Sequence, residues 1–185
     1  MLNLTTLLAA VALTISSIIL PSTHITSSKM EMKKGEIATM TITSSAFKAN
    51  EMIPDKYTCK GSNMSPPIHI EGIPEGTKGL VMIMDDPDAQ MDGGFNHWIA
   101  WNLDPTMIDI PEGYHGGSQG FNTGKHKWYT GPCPPQGTHH YHFKVYATKK
   151  LITVPPDSYK DKVEKAMKPY LIGQGELIGL YTKNK

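Results

Sequence analysis

Arginine is absent from the chain: its 18 basic side chains are all lysine, and 17 acidic ones leave a net charge near +1. Phosphate backbones and guanine edges are read largely by arginine and by clustered positive charge. With scattered lysines alone, a nucleic-acid partner is not expected. Cysteine is scarce too. Cys59 and Cys133 are far apart, and neither belongs to a C-x-x-C pair, which argues against a structural zinc site built on cysteine. In an oxidising compartment the two are able to pair and close a long loop; in a reducing one they are ordinary thiols, and the sequence leaves both alternatives open. No phosphate-binding P-loop and no dinucleotide glycine motif occurs in a strand–helix context.

Formal charge is missing altogether from residues 1–28. Within them Leu7–Leu20 is apolar except for Thr14, Ser16 and Ser17. That length suits the apolar core of a signal peptide better than a full bilayer span. Residues 1–28 are therefore expected to be a signal peptide, or an uncleaved membrane anchor plus linker, and the protein to be exported to a periplasmic or extracellular location. Membrane contact is expected only through this segment if it is retained. Residues 29–185 form the second unit, long enough to bury a core without metal or disulfide.

What is present from Lys29 onward is a series of short apolar or alternating segments: 37–47, 68–70, 80–84, 97–103, 141–147 and 177–181. Turn clusters such as Lys60-Gly61-Ser62-Asn63 and Asp92-Gly93-Gly94 separate them. This spacing predicts an all-β antiparallel sandwich. Leu80–Met84 is apolar on both faces, so it is expected to be a central strand, with Asp85-Asp86-Pro87-Asp88 in a loop at its end. From His139 to Ala147 strict alternation puts His139, Tyr141, Phe143, Val145 and Ala147 on the core face, and His140, His142, Lys144 and Tyr146 on the other. The glycine- and proline-rich stretch 114–136 is expected to be a folded loop lining a site. One helix is predicted, capped by Ser158-x-x-Asp161, with Val163, Ala166, Met167 and Tyr170 on its buried face and Gly173 as its stop.

Four motifs occur in register: Ile53–Pro67, Asp86-Pro-Asp88-Ala, Asn96-His97-Trp98…Asn102, and Gly131-Pro-Cys-Pro-Pro135 followed by Gly137-Thr-His139-His-Tyr141. In this order they resemble the phosphatidylethanolamine-binding protein family, in its bacterial and archaeal Raf-kinase-inhibitor-like branch, from about Phe47 to Tyr181. The resemblance implies a β-sandwich with a C-terminal helix and an anion pocket at one end of the sheet. It carries Asp86 and Asp88 onto the acidic pocket motif, His97 onto the second, and His139 and Tyr141 onto the third, with Gly131 and Pro132 in the closing loop. Three positions depart from the family pattern: Gln90 replaces a proline, Trp128 a glycine and His140 an arginine.

The chemistry of these residues is consistent with that reading. Imidazole and backbone N–H groups are the donors a small anion needs. A carboxylate bonded to one ring nitrogen favours the imidazolium and leaves the other N–H for the ligand, while a second carboxylate is placed to meet an ammonium. The expected function is noncatalytic binding of a small anion or phosphorylated head group, with no cofactor. The alternative is an inhibitor or regulator of a protein kinase or serine protease, acting through the loops 85–95 or 114–127. Blander roles exist for the same residues: Asp86 and Asp88 as turn formers, His97 as an edge-of-core histidine, Trp98, Trp101, Tyr141 and Phe143 as core or pocket wall. A metal is the rival ligand, but His140 and His142 point away from His139 and no third ligand joins them at a recognisable spacing. Gly116-Gly-Ser118-Gln-Gly120 fits G-x-S-x-G formally, but lacks the strand before it and the helix after it that a hydrolase elbow requires.

Overall fold

The structure, a computed structural model, describes residues 36–183; the expected leader at 1–28 lies outside them. The strands are β1 (Ala38–Thr39), β2 (Thr41–Thr43), β3 (Ile68–Glu71), β4 (Gly79–Asp86), β5 (Phe95–Leu103), β6 (Asp109–Ile110), β7 (Ser118–Gln119), β8 (Thr138–Thr148) and β9 (Leu171–Thr182), with helix α1 (Lys160–Met167) between the last two. They form a six-stranded sheet in the order β1-β9-β8-β4-β5-β7 and a three-stranded sheet in the order β2-β3-β6. All pairings are antiparallel except that of β1 with β9. The all-β architecture with one short helix agrees with the sequence expectation.

The doubly apolar β4 explains the layering. Leu80, Met82 and Met84 join Trp98, Tyr141, Phe143 and Val145 in the core shared with the small sheet, which contributes Ile42, Ile68, Ile70 and Ile110. Val81 and Ile83 pack on the opposite face with Ile99, Trp101, Ile152 and the helix residues Val163 and Met167. Each such side chain stabilises the fold by roughly 1.5–3 kcal/mol on full burial. The helix thus covers one face of a sheet whose other face meets the small sheet, giving three layers.

Four local expectations are corrected. Segment 37–47 is two strands, not one: β1 adds to the large sheet and β2 to the small one, with buried Met40 between them. Asp85 and Asp86 belong to β4 itself, still paired with Asn96 and Phe95, and pairing stops at Pro87, which has no N–H to offer. The helix is not capped by Ser158. Its N-cap is Tyr159, while Ser158 is buried and its carbonyl accepts the N–H of Phe121, tying the helix entry to the end of β7. Nor does Gly173 end the helix: Pro169 lies in a 3-10 turn over Lys168–Tyr170, after which β9 begins at Leu171.

Candidate functional site

The polar ends of β4, β5 and β8 meet at one edge of the large sheet. Alternation along β8 puts His139 and Tyr141 on the core face, and the same face of β4 presents Asp86. From β5 comes His97. The wall opposite is the returning segment Thr130–Pro135. Together they line a cavity of about 370 Å³, with Met91 and Phe95 as apolar walls and Gln90 at its side.

The hydrogen bonds set the role of each group. Asp86 Oδ1 accepts the backbone N–H groups of Asp88 (2.9 Å) and Ala89 (3.2 Å), while Oδ2 lies 2.7 Å from His139 Nδ1. Both carboxylate oxygens are engaged, so Asp86 holds the loop and orients His139. His97 Nδ1 lies 2.6 Å from the Thr130 carbonyl oxygen. A carbonyl can only accept, so that ring nitrogen carries the proton. Phe95 packs on the His97 ring at 4.6 Å, and Tyr141 meets it edge-on at 5.3 Å. Burial pushes the His97 pKa below its ordinary value, outweighing the opposite pull of the Thr130 carbonyl and of Asp86 and Asp85; the neighbouring His139 adds to the depression. The Tyr141 hydroxyl is buried beside Asp86 and the Cys133 backbone without a close hydrogen bond to either, and burial followed by the negative charge of Asp86 raises its pKa. It remains a phenol at neutral pH.

Five of the sequence-predicted residues therefore share the cavity: Asp86, His97, Gly131, His139 and Tyr141. Two do not line it. Asp88 turns outward, where its Oδ2 accepts the backbone N–H of His140 and lies 2.7 Å from His140 Nδ1. Its carboxylate is therefore not placed to meet a ligand ammonium. Pro132 is buried behind the wall, its carbonyl accepting the Cys59 N–H at 3.1 Å. Gly131 owes its identity to a close approach: a methyl group there would stand 2.6 Å from the Tyr57 carbonyl oxygen. Its N–H donates to Asn63 Oδ1 at 2.7 Å, so it supplies no free donor to the cavity. Cys59 and Cys133 form a disulfide, their Cα atoms 5.5 Å apart, and Cys133 also lines the cavity.

Thr130 was not among the expected site residues, because it acts through its carbonyl and no residue type signals that. Phe95 and Met91 were likewise missed as walls, whereas Pro134 and Pro135 fall in the stretch 114–136 expected to line a site. Of the surface histidines, His142 pairs with Glu176 (2.8 Å), and His69 lies between Asp109 (2.6 Å) and Glu71 (3.3 Å). Ser118 sits in the two-residue edge strand β7, with no helix following it.

Comparison with known proteins places this geometry among relatives. The sequence profile described as phosphatidylethanolamine-binding protein matches residues 43–182. A UPF0098 protein of Pyrococcus horikoshii is 47% identical over 151 residues, covering 76% of this chain and 75% of the relative. Among solved structures, a phosphatidylethanolamine-binding protein homologue from Chlamydia trachomatis superposes with a TM-score of 0.76 at 36% identity, covering 79% of this chain and 99% of its own. YbcL of E. coli, described as a member of the mammalian family, gives 0.73 at 30% identity over 78% and 99%.

Proposed function

The chain belongs to the phosphatidylethanolamine-binding protein family, and we propose that its cavity binds a small oxyanion or phosphorylated head group noncovalently and without turnover. The observation carrying this reading is the pair of imidazoles, His97 and His139, that line one cavity with each Nδ1 committed to an acceptor of the cavity wall, the Thr130 carbonyl or Asp86. Only Nε2 of each ring is left for a ligand. Protonated there, the two rings are donors, and the Tyr141 hydroxyl, which makes no close hydrogen bond within the protein, is a third. A cavity of about 370 Å³ is ample for phosphate or phosphorylethanolamine. With both oxygens engaged, Asp86 is poorly suited to act as a nucleophile or general base, which supports binding over catalysis. The Cys59–Cys133 disulfide supports residence in an oxidising compartment, in keeping with an exported protein.

The sign of the pH dependence follows from the tautomers. Neutral His97 carries its lone pair at Nε2, so donating from that atom to an anion requires a proton to be taken up. Because burial disfavours the His97 imidazolium, affinity rises as pH falls below about 6.5, the ordinary histidine value. Calorimetric titration with phosphorylethanolamine and with inorganic phosphate tests this. Saturable binding that strengthens on acidification and disappears in His139→Ala is expected; binding that strengthens with rising pH sinks the reading.

A further inference from the structure

Resting on that reading, we propose that the cavity selects an oxyanion bearing a compact apolar substituent, an aryl or short-alkyl phosphate monoester, over one bearing an ammonium such as the ethanolamine head group. The polar and apolar residues of the cavity lie at different depths. His97, His139 and Tyr141 are buried, whereas Phe95 is half-buried and Met91 and Pro135 are exposed. An oxyanion held by the three donors sits at the inner end and turns its substituent outward between Met91, Phe95 and the Pro134-Pro135 pair. Met91 keeps 49% of its surface exposed and belongs to neither core cluster. It is apolar area that the protein leaves uncovered and that an apolar substituent would remove from water. The cavity volume of about 370 Å³ is that of about a dozen waters at about 30 Å³ each. An inorganic oxyanion alone therefore leaves the mouth to be filled. Apolar walls around a few placed polar groups are the usual make-up of a small-molecule site.

An ammonium at the same place finds no free carboxylate. Asp88 is turned away, its Oδ2 taken by the backbone N–H and Nδ1 of His140 at 2.7 Å each. Asp86 lines the cavity, but its Oδ1 accepts two backbone N–H groups and its Oδ2 faces His139 Nδ1. Among the described residues no other acidic side chain lines the cavity. The Thr130 carbonyl is engaged by His97 Nδ1 at 2.6 Å. Gln90, at the side of the cavity where the family pattern has a proline, offers a neutral amide oxygen, a weaker partner for an ammonium than a carboxylate is. Taking an ammonium out of water without an opposite charge is costly, whereas a propyl or phenyl group in its place gives up no hydration of that kind. The outward turn of Asp88 and the apolar mouth thus act in the same direction on specificity.

The test titrates the whole protein calorimetrically at about pH 5.5, below the ordinary histidine value, with methyl, propyl and phenyl phosphate, phosphorylethanolamine, inorganic phosphate and phenol. Propyl phosphate is the decisive comparison, because it replaces the ammonium of phosphorylethanolamine with a methyl group at nearly the same size. It should bind about fivefold more tightly than phosphorylethanolamine, and phenyl phosphate about tenfold more tightly than methyl phosphate. Met91→Ser should cut the phenyl-to-methyl preference by about threefold, with circular dichroism confirming that the variant is folded. Phosphorylethanolamine binding as tightly as propyl phosphate or more so, or phenyl and methyl phosphate binding alike, overturns the proposal and leaves the anion reading standing. A preference unmoved in folded Met91→Ser also overturns it, since the substituent then lies elsewhere. Phenol binding as tightly as phenyl phosphate, or no binding of inorganic phosphate or any of the phosphate esters, removes the anion reading and this proposal with it.

Discussion

Reducing the Cys59–Cys133 bond should destabilise this domain severely while leaving its fold intact. The bond closes a loop spanning a sequence separation of 74. Chain-entropy arguments assign a loop of that size about 4 kcal/mol of constraint on the unfolded state. Both cysteines are exposed, so little apolar burial is lost with the bond. The contact it fastens has other ties. Cys59 N–H donates to the Pro132 carbonyl (3.1 Å), Gly131 N–H to Asn63 Oδ1 (2.7 Å), and the Tyr129 hydroxyl to the Tyr57 carbonyl (2.7 Å). These hold the wall of the cavity against the 57–63 turn in the reduced protein, so the effect falls on the unfolded ensemble. For a domain of this size about 4 kcal/mol corresponds to a fall of roughly 10 °C in Tm. Urea unfolding of the oxidised protein, the protein in a phosphine reductant, and Cys59→Ser/Cys133→Ser measures the difference, with a thiol count confirming the starting state. The slope of free energy against urea should steepen as well, because the unlinked chain exposes more surface. A loss below about 1 kcal/mol with the thiol count confirming an initial disulfide refutes the reasoning, since it means the unfolded chain already keeps these ends together.

Three further outcomes follow from the geometry. Asp85→Ala removes the acceptor of Lys144 (3.2 Å), Lys160 (3.0 Å) and Asn96 Nδ2 (3.2 Å). Because the two lysine side chains are about 30% exposed and can rehydrate, the expected cost is about 2 kcal/mol, below that of a fully buried pair; recovery of part of it in Asp85→Ala/Lys160→Met is the check. His97 has a folded pKa depressed by burial, so its contribution to stability is complete above about pH 6.5 and is lost as pH falls through and below that value. Urea unfolding between about pH 8 and 5.5 should show a shallower acid loss in His97→Gln than in the wild type, and equal slopes would contradict it. Trp128 adopts φ 77°, in the left-handed region, and keeps one aromatic neighbour, His115 at 4.9 Å. Relief of that backbone should offset the lost contact, so Trp128→Gly should stay within about 1 kcal/mol of wild type by thermal unfolding, unlike an ordinary tryptophan deletion.

What the sequence carried and what it withheld separate along a physical line. Side-chain periodicity was legible wherever it was strict. The alternation His139–Ala147 identified the core face of β8 and left His139 at its polar end, and the doubly apolar Leu80–Met84 identified a strand covered on both sides. Residue type was legible at the site as well: five of the seven expected residues line the cavity because imidazole, phenol and carboxylate groups occur in motifs that three strand ends and one wall segment bring together. Backbone chemistry was not legible. No side chain announces that the Thr130 carbonyl fixes the tautomer of His97, that the Ser158 carbonyl is bonded to the Phe121 N–H while the helix starts one residue later at Tyr159, or that Met40 marks the passage from one sheet to the other. The same distinction governs the function. Reading His97 and His139 as residue types suggests two donors for an anion, whereas the acceptors found at both Nδ1 atoms leave only Nε2 of each ring without a partner in the protein. Anion binding in this cavity is therefore tied to pH through His97, whose imidazolium burial disfavours.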